Sequence, residues 1–348
     1  MNKIYENDLI KTIKNIKNIN SIKDKVFFIT GANGLIGKFI IDMLMYLNKE
    51  KNFNIKIIAS ARNKEKLESR FKAYLNNNLF SVWIQDINEK INCSFKIDYI
   101  INCASNTHPL QYANDPIGTI LTNIIGTSNI FNFGIEKKAS KIIILSSVEI
   151  YGENVNNIDR FKEEDMGYIN SNTLRAGYNE SKRASETLAQ AYIEKYDLDI
   201  SILRLPRIYG PTVKKDDSKA LSQFVNNALN GEDIVLKSKG EQYFSYLYVA
   251  DAVSGIFTVL INGKKCDVYY LGNIKSDIRL KDLALLIANV ANTKVIFDLP
   301  SETEKKGFSK ATIARLNYDK IKKELDWNPQ YSIEEGIKNT INILKDEE

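Results

Sequence analysis

Apolar and polar positions follow one another in blocks that predict a repeated strand–helix order. Val26-Phe27-Phe28-Ile29-Thr30 is a continuous apolar run and predicts a buried strand. Leu35, Ile36, Phe39, Ile40, Met43, Leu44 and Leu47 follow at helical spacing. Further short apolar strands are predicted at 55–59, 81–85, 99–103, 141–145 and 200–205, with helical patterns between them. Beyond residue 176, Ala184, Leu188, Ala191 and Tyr192 recur at threes and fours and predict another helix. The alternation predicts an α/β fold with a doubly wound parallel sheet of Rossmann type, with ligands at the carboxyl ends of its strands.

Two regions stand outside this rhythm. Residues 1–24 are rich in Lys, Asn and Ile, and Ile10, Ile13, Ile16 and Ile19 recur at threes, so a helical extension packed on the main body or a second subunit is predicted. From Arg207 the pattern changes: a turn at 207–211, a polar stretch at 214–219, a helix near 221–230, a strand near 234–236, an aromatic-rich run at 243–249, then two further helices and Trp327-Asn328-Pro329. The expected division is an extension at 1–24, a dinucleotide-binding unit at 25–206, and a smaller, partly interleaved lobe at 207–348.

Composition narrows the chemistry. The 48 Lys+Arg against 43 Asp+Glu leave a net charge of +5, with no basic block interleaved with aromatics, which argues against nucleic acid as a partner. Cys93, Cys103 and Cys266 are scattered and odd in number, so they read as reduced thiols of a cytoplasmic protein. His108 is the single histidine, which excludes His-rich metal sites. No apolar run approaches the roughly 18 residues of a membrane helix, and no signal-peptide pattern opens the chain.

The chemistry-bearing residues fall at the predicted strand ends. Gly31, Gly34 and Gly37 separate the first strand from the first helix as G-x-x-G-x-x-G, not the G-x-G-x-x-G of the usual fingerprint. Glycines there allow a tight turn and a close approach of backbone to a pyrophosphate. After the second strand stands Ser60-Ala61-Arg62-Asn63, with no acid to hold a ribose 2′-hydroxyl. Arg62 therefore favours NADP over NAD, although a solvated surface arginine fits the same position. Asp86 and Ile87, after the third strand, suit an adenine wall or an ordinary turn. Ser147 and Glu149 emerge together after the strand at 141–145. Tyr178 and Lys182, four apart, share one face of a helix, and a cation beside a phenol favours the phenolate, a base.

Four stretches taken together, TGANGLIG at 30–37, SSVEIYG at 146–152, YNESK at 178–182 and RLPRIYGP at 204–211, resemble the extended short-chain dehydrogenase/reductase family of nucleotide-sugar epimerases and dehydratases. The stretches Ala104-Ser105, Asn114-Asp115-Pro116-Ile117, Asn123–Thr127 and Arg175–Arg183 are most similar to its UDP-glucuronate decarboxylase branch. The resemblance implies a tightly bound, recycled NAD or NADP held by Gly31, Asn33, Gly34, Leu35, Ile36, Gly37, Arg62, Asp86, Ile87, Ala104, Asn123, Tyr178 and Lys182. It implies that Tyr178 accepts the proton of a sugar C4 hydroxyl, that Lys182 lowers the Tyr178 pKa and holds the nicotinamide ribose, and that Ser147 bonds the same hydroxyl. A 4-keto sugar would follow, open to decarboxylation, dehydration or epimerisation, with Glu149 as a base near C5.

The chain departs from that family twice. Val148 stands where the 4,6-dehydratases keep a proton-donating Asp, and Phe244 where relatives keep an Arg for the substrate diphosphate. Arg207, in place of a family Asn, and Lys219 would supply the missing charge to a nucleoside-diphosphate-sugar substrate. The resemblance also implies a homodimer built on the Tyr178 helix and a supply of activated sugar for surface polysaccharide. A C4 or C5 epimerase, and a catalytically silent protein that senses NAD(P)H, remain as alternatives.

Overall fold

The computed structural model describes residues 1–105, 107, 114–299 and 313–346. His108 lies outside them. Seven strands form one parallel sheet in the order β10-β6-β5-β4-β1-β2-β3. They are β1 (Val26–Thr30), β2 (Lys56–Ala61), β3 (Phe80–Ile84), β4 (Tyr99–Asn102), β5 (Lys141–Ser147), β6 (Ile200–Leu205) and β10 (Val268–Tyr270). The chain runs outward from β1 to β3 and returns to β4 on the other side of β1. The order therefore reverses between β1 and β4, and the crevice beyond their carboxyl ends is where such sheets hold ligands.

The helices that precede β6 are α1 (Lys3–Lys14), α2 (Leu35–Lys51), α3 (Lys64–Arg70), α4 (Pro116–Leu121), α5 (Thr127–Lys137) and α6 (Ala176–Tyr196); α2, α3, α5 and α6 pack on the sheet, and α1 and α4 pack on other helices. A π-helical turn, Thr122–Gly126, joins α4 to α5 without a break. Beyond β6 come β7 (Arg207–Tyr209), α7 (Ala220–Leu229), β8 (Ile234–Leu236), β9 (Tyr243–Tyr248), α8 (Val249–Asn262), β11 (Asp277–Arg279), α9 (Leu280–Ala291), β12 (Val295–Phe297), β13 (Ile313–Ala314), α10 (Asp319–Leu325) and α11 (Ile333–Lys345). A second small sheet is centred on β9, which pairs with β7, β11 and β13; β8 and β12 pair separately. Among the described residues no helix is long and apolar enough to cross a membrane.

Two expectations need correction. After β9 the described residues hold four helices rather than two. The aromatic-rich run passes directly into α8, which is buried at every position from Val249 to Leu260 and so has no polar face to mark its period. The buried face of α1 is Tyr5, Asp8, Leu9 and Thr12, not the isoleucines at threes; Ile10 and Ile13 are only partly buried, because a spacing of three drifts off a 3.6-residue helix. The helix predicted beyond residue 176 is α6; of its stripe, Leu188 and Tyr192 pack partly buried against the core, while the buried positions include Tyr178, Ser181, Lys182, Ser185, Glu186 and Ala189.

One hydrophobic core runs through both halves: Phe27 of β1 stacks on Phe257 of α8, with centroids 5.8 Å apart. Through β10 and α8 the chain beyond residue 207 completes the large sheet and covers one of its faces.

Candidate active site

The turn after β1 is built for close approach. Gly31 has φ +58, and a Cβ there would lie 2.6 Å from the Cys103 carbonyl oxygen. A Cβ on Gly37 would lie 2.8 Å from Ala32 Cα, so α2 can pack this tightly only on glycine. Gly34 caps α2 without a side-chain acceptor, and the first turn carries no acid. The leading amides of α2 and its dipole therefore suit an anion. Donors, dipole and glycine cradle together fit the pyrophosphate of a dinucleotide.

A cavity of about 730 Å³ opens from this turn. Gly31, Asn33, Gly34, Leu35, Ile36 and Gly37 line it, as do Arg62, Asp86, Ile87, Ala104, Ser147, Glu149, Tyr178, Lys182, Arg207 and Lys219. Arg62 is exposed just past β2. Asp86 accepts the Asn88 backbone N–H at 2.9 Å, so it also serves its own turn.

Asn123 is the predicted cofactor residue that does not line the cavity. It is 2 % exposed and sits in the π-helical turn, which directs it into α6. Its Nδ2 donates to Ser181 Oγ at 2.9 Å, its Oδ1 accepts from Ser105 Oγ at 2.9 Å, and its carbonyl accepts from Ser185 Oγ at 2.6 Å. Asn123 thus locks α6 in place from behind and positions the residues that face the cavity.

Tyr178 and Lys182 reach the cavity from the first turns of α6. The Lys182 Nζ lies 5.9 Å from the Tyr178 ring centroid and donates to the Leu145 carbonyl at 2.8 Å. Their acidities run against the expectation that Lys182 lowers Tyr178. Burial pushes the Tyr178 phenol up to about 12 and the Glu149 charge adds to this, while hydrogen bonds with Ser147 and Ser105 pull it back. Burial likewise pushes Lys182 down to about 8, against the charges of Glu186 and Cys103. In the ligand-free protein desolvation outweighs the cation–phenol attraction.

Glu149 sits on the 3₁₀ turn Val148–Tyr151 that ends β5, and its carbonyl accepts from Asn179 Nδ2 at 2.8 Å, tying it to α6. The Arg207 Nη2 approaches Glu149 Oε1 at 3.4 Å. The guanidinium lies flat on the Phe244 ring, 3.5 Å from its centroid, and its Nη1 is buried with no hydrogen-bond partner among the described residues. β7 and β9 run side by side, with Arg207 opposite Tyr246, which brings Arg207 onto Phe244. Lys219 is partly neutralised by Asp217 at 3.4 Å and reaches Thr107 Oγ1 at 3.3 Å.

Beneath Tyr178 and Lys182 lies a buried network that the sequence analysis does not include. Glu186 accepts from Ser146 Oγ and from Arg204, at 2.7 Å from its Nη2; Arg204 Nη1 donates to the hydroxyls of Tyr151 and Tyr270 at 2.7 and 2.9 Å. The available signal was spacing: Glu186 follows Lys182 by one turn, as Lys182 follows Tyr178. Ser105, which hydrogen-bonds both Tyr178 and Asn123, stood in one of the stretches that carry the resemblance but was not among the predicted site residues.

The family model described as "NAD dependent epimerase/dehydratase family" matches residues 27–272. The chain belongs to this family. UDP-glucuronic acid decarboxylase 5 of Arabidopsis thaliana is 28% identical over 313 residues, covering 89% of this chain and 86% of the relative. UDP-glucuronic acid decarboxylase 1 of Xenopus tropicalis is 28% identical over 336 residues, covering 95% and 75%. The same fold recurs in a UDP-glucose 4-epimerase of Thermotoga maritima, with TM-score 0.79, 21% identity, and 92% and 99% of the two chains covered. It recurs again in a dTDP-glucose 4,6-dehydratase of Bacillus anthracis solved with NAD, with TM-score 0.77, 22% identity, and 93% and 97% covered. For this epimerase/dehydratase family member, the Rossmann sheet and its strand-end crevice are therefore a shared framework.

Proposed function

We propose that this chain modifies a nucleoside-diphosphate sugar by transient oxidation at C4, followed by loss of carbon dioxide or water from the neighbouring carbons. A bound nicotinamide dinucleotide supplies the reversible hydride acceptance that this needs. Tyr178 takes the hydroxyl proton, and Ser147 shares that hydroxyl and orients it. The cationic form of Lys182 favours the Tyr178 phenolate once the site is filled. Glu149, beside this pair, serves as base or proton carrier at C5. The hydroxyl relay argues against a silent sensor, which has no use for it.

Of the two losses, decarboxylation of a sugar acid is the favoured one. The observation that carries this is Arg207, held over Phe244 beside Glu149 with one guanidinium nitrogen unpartnered. A guanidinium so placed suits an anionic group of the substrate, either a sugar carboxylate or the diphosphate. Val148 offers no proton for a departing hydroxyl, which disfavours dehydration. Epimerisation at C5 is the second reading, since the Glu149 carboxylate would serve it equally. Arg207→Ala should raise KM for the nucleotide sugar roughly tenfold or more, as expected for loss of a charge-assisted contact; unchanged substrate affinity would remove Arg207 from the substrate site. With this reading go a homodimer, a cytoplasmic location, and supply of an activated sugar for surface polysaccharide. Arg62 leans the cofactor towards NADP.

A further inference from the structure

The cavity rim at the end of β2 is basic, and the charge comes from both lobes. Arg62 follows β2 directly; Lys66 and Arg70, four and eight residues on, continue the same face through α3. Lys214 arrives from the other lobe. The turn that carries it is fastened across the crevice: Thr212 Oγ1 donates to the Leu35 carbonyl at 2.7 Å, and Arg70 Nη2 donates to the Thr212 carbonyl. Arg62 and Lys214 thereby line the same cavity.

These cations are not held in salt bridges, although the Asp216 carboxylate acts on Lys214. Among the described residues neither Arg62, Lys66 nor Lys214 holds an ion pair. Burial and the charges of Lys66, Arg70 and Arg62 push the Lys214 pKa down, with Asp216 opposing. Asp217 is engaged by Lys219, and Asp86, at the end of β3, accepts the Asn88 N–H. The residues that follow β2, Ser60 to Asn63, include no acid. Ser60 is 1 % exposed, lines the cavity, and its Oγ has no hydrogen-bond partner among the described residues. A buried hydroxyl left unpaired is costly unless a ligand completes it. Converging cations together with an orphan donor describe a site for a compact polyanion.

We propose that this rim is a cross-lobe clamp for the ribose 2′-phosphate of an NADP-type dinucleotide, with Arg62 on one side, Lys214 of the second lobe on the other, and Lys66 behind them. This rests on the dinucleotide reading of the cavity. Because Lys214 belongs to the lobe that also carries Arg207 and Lys219, cofactor phosphate recognition and substrate-lobe placement are joined in one contact.

The test uses the purified full chain and titration calorimetry with ADP-ribose and 2′-phospho-ADP-ribose, so no turnover is needed. The phosphorylated ligand should bind about tenfold tighter or better, as charge-assisted contacts to phosphate would give. Lys214→Ala should remove most of that preference, and Arg62→Asp should reverse it, each with an unchanged circular dichroism spectrum and thermal midpoint. Equal or tighter binding of ADP-ribose by the wild type overturns the clamp while leaving the dinucleotide site standing. A preference undiminished in Lys214→Ala overturns its cross-lobe half. Binding of neither ligand overturns the dinucleotide reading as well.

Discussion

At the scale of single residues, Tyr178 and Lys182 are held in an unfavourable state by their own burial. Lys182 stands near 8 rather than 10.5, so the ligand-free fold carries a costly buried charge below about pH 8. That cost is relieved as pH rises from about 8 towards the value of an exposed lysine. Lys182→Met should therefore raise the thermal midpoint of the ligand-free protein at pH 7, by about 2 °C or more, with the gain shrinking by pH 10. The same variant should lose roughly 10²–10⁴-fold in turnover, as expected when a proton-transfer group is left untuned. A midpoint that falls at pH 7 would mean that Lys182 stabilises the fold. Tyr178 and Lys182 were readable in the sequence because a four-residue spacing is local. The stacking of Arg207 on Phe244 was not, because it depends on β7 lying beside β9, a pairing of distant segments.

Among the elements, α1 does more than its composition suggested. Its Asp8 is fully buried and accepts from the hydroxyls of Tyr248 and Tyr331 at 2.6 and 2.8 Å and from Asn339 at 3.0 Å. Its Tyr5 donates to Asp42 of α2 at 2.6 Å. The extension thus ties α2 to β9 and α11. Asp8→Ala would strand two buried hydroxyls and the half-buried Asn339 amide and should cost on the order of 3 kcal/mol, read as a lowered denaturant midpoint; a loss below about 0.5 kcal/mol, the scale of surface changes, would contradict this role. The apolar periodicity of the isoleucines carries no sign of a buried carboxylate, whose partners Tyr248, Tyr331 and Asn339 lie more than 200 residues away.

The helices α4 to α6 show the converse. Leu121 and Ile125 are 40 and 42 % exposed, and Ala191 of α6 is exposed as well. A second copy of the chain would cover them, so Ile125→Glu should convert a dimer to a monomer in light scattering. A wild type already monomeric at micromolar concentration would end that proposal.

Across the whole molecule, the alternation of strands and helices made the parallel sheet legible as far as β6, since each βαβ unit is written in consecutive residues. The seventh strand was not legible: Val268–Tyr270 is three residues long and joins the sheet only after the chain has built most of the second lobe. The glycine turn, Ser147, Glu149, Tyr178 and Lys182 all reach one cavity because consecutive strands of a parallel sheet end on the same side. What the sequence left open is the step after oxidation, which depends on Val148, Glu149, Arg207 and Phe244 meeting in space.

That step can be weighed. Purified wild-type protein, with Tyr178→Phe as control, is incubated with a panel of nucleotide hexoses and nucleotide uronic acids, and the products are analysed by mass. The account predicts that the wild type removes carbon dioxide from a nucleotide uronic acid, or water from a nucleotide hexose, and that Tyr178→Phe does neither while still binding cofactor. Return of every sugar at unchanged mass, or equal turnover by Tyr178→Phe, would contradict it.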